Sequence, residues 1–352
     1  MPRSPGKRPS GHASLSDVAA LAGVSAQTVS RVVNGAGNVL PDTREKVESA
    51  LTALGYRPHT AARALATGKF GSIGVLCFDL TKFGNLHVVD AAIHEAQANG
   101  YGMYLSSMPD ATDADLQAAV RGLTDRAVDG LVLVEARILD TPHLRLPAGL
   151  PTVVAEGARD AAYATVAVDH AAGARLAVEH LLELGHRTVH HISGPPSSHS
   201  TVARLVAWRQ ALEDHGAHIP EPTAGDWSAA SGYRAARELF DRARRGDIPR
   251  VTAIFAANDE MAAGVLRAAV EDGIAVPHEL SVVGYDDTEF AGYLTPPLTT
   301  VRPDLRRVGR RCVERLLMAS RADTAVPATA ELVVPELVVR ASTSAPPQCV
   351  SG

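Results

Sequence analysis

The sequence predicts an α/β protein in which a small helical unit is followed by two doubly wound lobes. Three observations predict this. Ser14 to Asn34, SLSDVAALAGVSAQTVSRVVN, has the spacing of two short helices around a tight turn. From Gly71 onward, short apolar runs alternate with helical stretches, the pattern of parallel sheets covered on both faces. The alternation comes in two runs, and its units share an echo, a helix closed by glycine and then a strand: EAQANGYGMYL, DRAVDGLVLV, LLELGHRTVHHI.

The totals set bounds. A chain of 352 residues can hold one small and one large domain, or three medium ones. The net charge is −5, but residues 1–70 carry nine Lys/Arg against four Asp/Glu, so the remainder carries −10. A basic head on an acidic body fits a protein that touches phosphate at one end only. Cys77, Cys312 and Cys349 are far apart and lack metal spacing, which points to a reduced, intracellular protein. No apolar run reaches the ~18 residues of a membrane span, so no membrane partner is expected. Residues 1–13 lack an apolar h-region and are expected to be a disordered basic arm rather than a secretory signal.

The first helix is predicted over about 15–22. Ser14 is its N-cap, and Asp17 places a carboxylate near the free N–H groups of the first turn. Leu15, Val18, Ala19 and Ala22 form one apolar stripe; Gly23 supplies the residue tolerant of positive φ, and Val24 plugs the corner. Ser25 caps a second helix over about 26–33. Val29, Val32 and Val33 point inward, while Ala26, Gln27, Ser30 and Arg31 fall outside. An amide, a hydroxyl and a guanidinium on one exposed face are the groups that read base edges, so the pair is a helix-turn-helix with the second helix as reader. Pro41 and Asp42 open a third helix to about Leu54, with Val47, Ala50, Leu51 and Leu54 inward and Gly55 as its stop. This headpiece, 14–58, has a marginal core. Residues 59–70 contain HTAARALATG, predicted as a hinge helix too short to be stable alone and able to fold on a partner.

In the larger part, SIGVLCF, YGMYLSS, DGLVLVE, PTVVAE and Thr165–Val168 predict strands of a first lobe. TVHHISG, TAIFAAND and LSVVGYDD predict strands of a second, with helices between them, two of these over about 202–215 and 234–244. Ligands of such lobes bind beyond the carboxyl ends of the strands, so a cleft between the lobes is the expected site.

The motifs VSAQTVSRVVN, TREKVE, VEHLLELGH, AGDWSAASG, AAND, VVGYDDTE and PPLTTV resemble the lactose-repressor (LacI/GalR) family, and within it the member that gives the family its name. The match runs from Leu15 to Arg340. It implies a DNA-binding headpiece, a hinge helix and a core similar to periplasmic sugar-binding proteins. It also implies homodimers on palindromic double-stranded operator DNA, released by a small sugar effector. No cofactor, metal or catalytic residue is implied.

Ala26, Gln27 and Arg31 match the reader positions. Ser16, Ser25, Thr28, Ser30 and Asn34 join them as expected DNA contacts. Leu65 matches a hinge leucine that wedges into the minor groove, with Ala62 one turn before it and His59 where the family usually has a capping Asn. The name-giving member has Tyr at the place of Ala26, so operator preference is expected to differ. For the effector, Arg204, Asn258 and Asp286 match hydroxyl-binding residues and Trp227 a sugar-stacking one. Glu156 stands where the name-giving member has Asp. Phe78 replaces a small hydroxyl residue, Pro303 a Gln, and Leu305 and Val168 each a Phe. The polar grip is kept and the apolar walls are recut, so the expected ligand is a sugar, a galactoside among the candidates, with altered selectivity.

The expected lobes are 71–168 with 305–331, and 169–301 with 332–341. The tail 342–352 is expected to be disordered; it lacks leucine heptads, so a dimer is expected rather than a tetramer. His186, His190, His191 and His199 cluster in sequence, but alternation puts His190 and His191 on opposite strand faces, against a metal site. No glycine-rich phosphate loop follows the first strand. Arg121, Arg126, Arg306, Arg307, Arg310 and Arg311 read as solvated helix faces or dimer contacts. The function expected is a cytoplasmic, nucleoid-associated repressor of sugar-utilisation genes. The alternative is a regulator whose effector is a non-galactoside sugar or a co-repressor. A sugar-transport receptor lacks a reason for the headpiece, and an enzyme would need more than Asp286 and Glu156 as an acid–base pair.

Overall fold

Ser14 opens helix α1 (Leu15–Ala22) with a capping box: its hydroxyl accepts from the Asp17 N–H, and the Asp17 carboxylate accepts from the Ser14 N–H at 2.9 Å. Gly23 ends the helix at φ 66°, and Ser25 caps α2 (Ala26–Val33) by accepting from the Thr28 N–H at 3.1 Å. Pro41 occupies the first turn of α3 (Pro41–Ala53), where its missing N–H costs nothing. Val18, Val29 and Val47, one from each helix, are completely buried together. Leu54, expected inward, is instead the C-cap residue of α3 and is 36% exposed, because a core of such small side chains ends before reaching it.

This is a computed structural model; it describes residues 13–33, 38–56, 69–108, 113–134, 149–157, 163–322 and 324–347. The chain divides into two compact units, the second beginning at Ser72. The expected hinge helix, with His59, Ala62 and Leu65, lies outside the described residues, as do Asn34 and nearly all of the N-terminal arm.

The second unit holds two six-stranded sheets. One has the order β2-β1-β3-β4-β5-β11, from β1 (Ser72–Cys77), β2 (Gly102–Ser107), β3 (Gly130–Val134), β4 (Thr152–Ala155), β5 (Ala164–Val168) and β11 (Ala330–Val333), all parallel. The other repeats the plan as β7-β6-β8-β9-β10-β12, from β6 (His190–Ser193), β7 (Thr223–Ala224), β8 (Ala253–Ala256), β9 (Ser281–Tyr285), β10 (Thr299–Arg302) and the antiparallel β12 (Glu336–Val338). In both lobes the second strand in sequence lies outside the first and the third lies on its other side. Each sheet therefore has a switch point where ligands bind. Runs such as GLVLV and SVVGY are buried along their whole length, as strands covered on both faces must be.

The first lobe carries α4 (Phe83–Ala98), α5 (Asp113–Thr124) and α10 (Leu305–Ala322). The second carries α6 (His170–Glu183), α7 (His199–Asp214), α8 (Ala229–Arg245) and α9 (Asp259–Glu271). Helices α7 and α8 begin three and five residues before the positions expected from apolar spacing, with Ser198 and Ser228 at their N-caps; the Ser228 hydroxyl accepts from the Ser231 N–H. The last passage between lobes falls at Val334–Pro335 rather than before 332, since β11 keeps pairing with β5 through Val333. The tail differs too. Residues 342–347 are packed on the second lobe: Ser342 is buried, donates to the Val282 carbonyl at 2.6 Å and accepts from the Thr299 N–H, and Ser344 is tied to Ser281. Hydroxyls on the unpaired flank of the sheet give the tail backbone partners that apolar patterning cannot reveal.

Helices α8 and α9 meet through glycines. A Cβ on Gly264 would sit 2.5 Å from the Tyr233 nitrogen, and one on Gly232 would sit 2.6 Å from Met261 Cα. These obstacles are backbone, so the helices would have to separate. Gly264→Ala is expected to destabilise the protein by about 3 kcal/mol. Urea unfolding with an unchanged midpoint would contradict this contact.

Candidate functional site

On the first unit, α2 exposes Ala26, Gln27 and Arg31, and Ser30 is half-buried beside them. Ser16 is exposed on α1. Ser25 and Thr28 are bound to each other, hydroxyl to hydroxyl at 2.9 Å, so both serve the start of the helix. The free N–H groups there and the Arg31 guanidinium give the unit a face suited to phosphate and base edges.

On the second unit, a cavity of ≈ 250 Å³ opens between the two lobes. Its polar residues stand just past the carboxyl ends of strands: Glu156 after β4, His170 after β5, Asn258 after β8 and Asp286 after β9. Trp227 follows β7, Pro303 follows β10, and Arg204 reaches in from α7. Glu156, Trp227 and Asp286 all have positive φ, at 61°, 73° and 113°. Non-glycine residues in that region are costly and gather at ligand sites.

Arg204 is the centre of the grip. It is 4% exposed, donates to the Ala257 carbonyl, and lies 3.5 Å from the Tyr285 ring centre. Its Nε has no hydrogen-bond partner, an unmet demand for an acceptor. His170 Nε2 donates to Glu156 at 2.6 Å, and its Nδ1 faces both the Tyr285 hydroxyl and Arg204 Nη2 at 3.3 Å. Burial, and secondarily Arg204, lower the pKa of His170 despite the opposing pull of Glu156. A neutral ring donating from Nε2 and accepting at Nδ1 satisfies all three neighbours. Glu156 also accepts from the Val168 N–H at 3.0 Å. The chain thus links a carboxylate of the first lobe to a guanidinium of the second.

Asp286 is half-buried and lines the cavity. Burial holds its pKa well above the ordinary carboxylate range, although Arg204 pulls it down. Beneath it, Asp259 is fully buried and accepts from Thr300 Oγ1 at 2.6 Å and from the Thr288 N–H at 2.8 Å. Burial pushes Asp259 up to about 7 from 3.8, against the lowering effect of these hydrogen bonds. The folded state therefore binds a proton more tightly than the unfolded chain. The stability contributed is complete below pH ~4 and is lost as pH rises to ~7, with a slope of up to about 1.4 kcal/mol per pH unit. Asp259→Asn is expected to flatten this slope in urea unfolding between pH 4 and 7; an unchanged slope would show that Asp259 titrates normally.

Trp227 presents a half-buried indole to the cavity. Gly194 lies directly under the ring, and a Cβ there would also come within 2.5 Å of Thr201 Oγ1. Asn258 lines the cavity, but its amide is occupied. Oδ1 caps α9 by accepting from the Met261 N–H, and Nδ2 donates to the Trp227 carbonyl at 2.9 Å and to Glu260. It fixes the Trp227 backbone as much as it faces a ligand. Pro303 and Leu305 form one wall.

Phe78 is the exception among the expected ligand residues. It does not line the cavity; it is 3% exposed and packs with Leu76, Leu116 and Val120 under α5. A small hydroxyl side chain at this strand end can face a ligand, but a phenyl ring gains more by joining the apolar side of the sheet. Val168 is likewise buried in the first-lobe core. Sequence reasoning missed His170, Lys82, Asn85 and the Ser198/Ser200 pair, all at the cavity. Each lies within eight residues of a strand's carboxyl end, and the strand-end rule applied without regard to residue type would have marked them. His190 and His191 do point into different surroundings. His191 stacks on Phe255 and donates to that residue's carbonyl, and burial lowers both histidines to about 4.

A helix-turn-helix unit on the same chain as a two-lobed core with a ligand-sized polar cleft defines a DNA-binding transcriptional regulator with an effector-binding core. Residues 14–59 match the model of bacterial regulatory proteins of the lacI family, and residues 178–343 match a periplasmic binding protein-like domain. The lactose operon repressor of Escherichia coli (strain K12) is 37% identical over 343 residues, 94% of this chain and 91% of that protein. The regulator CelR of Thermobifida fusca is 33% identical, covering 89% of this chain and 93% of its own. A crystal structure of the lac repressor dimer bound to operator and the anti-inducer ONPF superposes with a TM-score of 0.82 at 33% identity, over 95% of this chain and all of that one. The chain belongs to the LacI family of bacterial regulatory proteins.

Proposed function

We propose that this protein represses sugar-utilisation genes by binding a palindromic operator as a homodimer, and that a small neutral sugar in the interlobe cavity releases it. The observation that carries the effector reading is the meeting of three features in one cleft: a buried arginine with an unpartnered Nε, a desolvated carboxylate on Asp286, and the Trp227 indole. A sugar supplies vicinal hydroxyls for the first two and a C–H face for the third. Glu156, Asp226 and Glu260 outnumber Lys82 and Arg204 around the cavity, which favours an uncharged ligand over a phosphorylated one.

The recut wall of Pro303 and Leu305 favours a second reading on specificity, a sugar other than a galactoside. The relatives bear the names of regulators, and the same role is proposed here rather than an enzymatic one. The site of action is the cytoplasm, at the nucleoid; among the described residues no helix is long and apolar enough to cross a membrane. Leu65 as a minor-groove wedge belongs to the same proposal. A gel shift on a palindromic operator with a panel of galactosides, glucosides and sugar phosphates tests the reading. Release by a neutral sugar is expected. Release only by a phosphorylated sugar, or retention with every sugar, would overturn it.

A further inference from the structure

Among the described residues the chain passes between the lobes three times, between β5 and α6, between β10 and α10, and at Val334–Pro335. Glu156 is fastened to both sides of the first passage. Its Oε1 accepts from the N–H of Val168, the last residue of β5, at 3.0 Å, and its Oε2 accepts from Nε2 of His170, the first residue of α6, at 2.6 Å. We propose that His170 is a positioning residue: it fixes the Glu156 carboxylate at the passage, so that a first-lobe group meets a sugar held by Arg204 in one arrangement of the lobes and not in the other. The proposal rests on the sugar reading of the cavity and assigns the residue that makes sugar binding depend on the lobes.

His170 can do this because its own ring is fixed. Asp169 caps α6 by accepting from the Ala172 N–H at 3.1 Å, and it donates its own N–H to the Val333 carbonyl at 2.9 Å, which ties the first passage to the third. One turn along α6, a Cβ on Gly173 would sit 2.6 Å from the Tyr285 hydroxyl and 3.0 Å from Pro335 Cγ, so the Tyr285 ring is wedged beside the same two passages. Its hydroxyl and Arg204 Nη2 each face His170 Nδ1 at 3.3 Å. Donors around Nδ1 place the ring proton on Nε2, toward Glu156. The His170 and Glu156 side chains are both 11% exposed, so little water competes for the pair.

A fixed group discriminates where a loose one cannot. A carboxylate accepts about four donors, and the passage uses one on each oxygen, so Glu156 has room for sugar hydroxyls. Glu156 and Arg204 both line the cavity, one from each lobe. A Glu156 side chain free to swing would follow the sugar through a shift of the lobes and contact it equally in both states. A ligand with equal affinity for two states shifts neither. Held at 2.6 Å and 3.0 Å, the carboxylate stays with its passage, and the shift of the lobes becomes a difference in sugar affinity.

The test uses the full chain, a palindromic operator, and calorimetry with methyl β-galactoside, methyl β-glucoside, lactose and cellobiose. The quantity compared is the ratio of sugar affinity for the free protein to that for the operator-bound protein. His170→Asn is too short to reach Glu156 and is expected to lower the ratio about tenfold, with the operator-bound form gaining affinity relative to the free form. His170→Gln carries its amide N–H to the place of Nε2 and is expected to keep the ratio within about threefold of the unaltered protein. A residue needed only for packing or for sugar contact lowers both affinities together and leaves the ratio unmoved. In protein with isotope-labelled histidine, His170 is expected to be the neutral Nε2–H form at about pH 7, with and without sugar. An unmoved ratio in His170→Asn, an equal fall in both variants, or a proton on Nδ1 would overturn the role of His170 while the sugar site stands. If none of these sugars binds, the sugar reading fails and the positioning role fails with it.

Discussion

Replacing Arg204 with alanine is expected to give a repressor that holds its operator and no longer responds to sugar. The guanidinium is buried, and its Nε has no hydrogen-bond partner. A hydrogen bond to a charged donor contributes about 1.5–3 kcal/mol, and a bidentate contact with two hydroxyls roughly doubles the specificity it confers. The loss is larger than that of the contact alone. Arg204 also donates to the Ala257 carbonyl and faces His170 Nδ1, so its removal frees the chain that ends at Glu156. A fall in sugar affinity of at least about a hundredfold is expected by titration calorimetry. Operator affinity should stay within a factor of about three, because Arg204 belongs to the second unit and the reading face of α2 to the first. Unchanged release by sugar would remove Arg204 from the site.

Replacing Arg31 with alanine is expected to do the reverse. Arg31 is exposed on the outer face of α2, one turn beyond Gln27. A bidentate arginine contact to a base edge is worth about 1–3 kcal/mol. A symmetric dimer on a palindrome loses it twice, so operator binding should weaken by at least about thirtyfold. Sugar binding should not change. The effect is enlarged here because Ala26 offers only a methyl group, leaving Gln27 and Arg31 to carry more of the reading. A gel shift with a loss below threefold would place Arg31 away from the bases and the phosphates.

The parts of the site that could be read in the sequence are those with a local signature. Gly23 between Ser14–Asp17 and Ser25 marks a helix-turn-helix because caps, turn and apolar stripe occur together within twenty residues. Asp286 and Asn258 were assigned by resemblance, and the short apolar run before each put them at strand ends, where a cleft is expected. Trp227 and Arg204 came from the same resemblance, and nothing in their immediate spacing sets them apart from core residues. What stayed hidden depends on side-chain volume or on partners distant in sequence. Phe78 sits at the right strand end, yet its size sends it into the apolar layer. His170 acquires its role from Tyr285 and Arg204, 115 and 34 residues away. The tail looks like a polar linker until Ser342 and Ser344 meet the free groups of Val282 and Ser281.

The central claim is that the sugar and the operator compete through two states of one protein. Such coupling is reciprocal: the factor by which sugar weakens operator binding must equal the factor by which operator weakens sugar binding. The direct test is to measure sugar affinity by calorimetry on the free protein and on the protein saturated with operator, and operator affinity with and without saturating sugar. Two equal factors are expected, each well above one. Sugar that binds the free and operator-bound protein with the same affinity would contradict it.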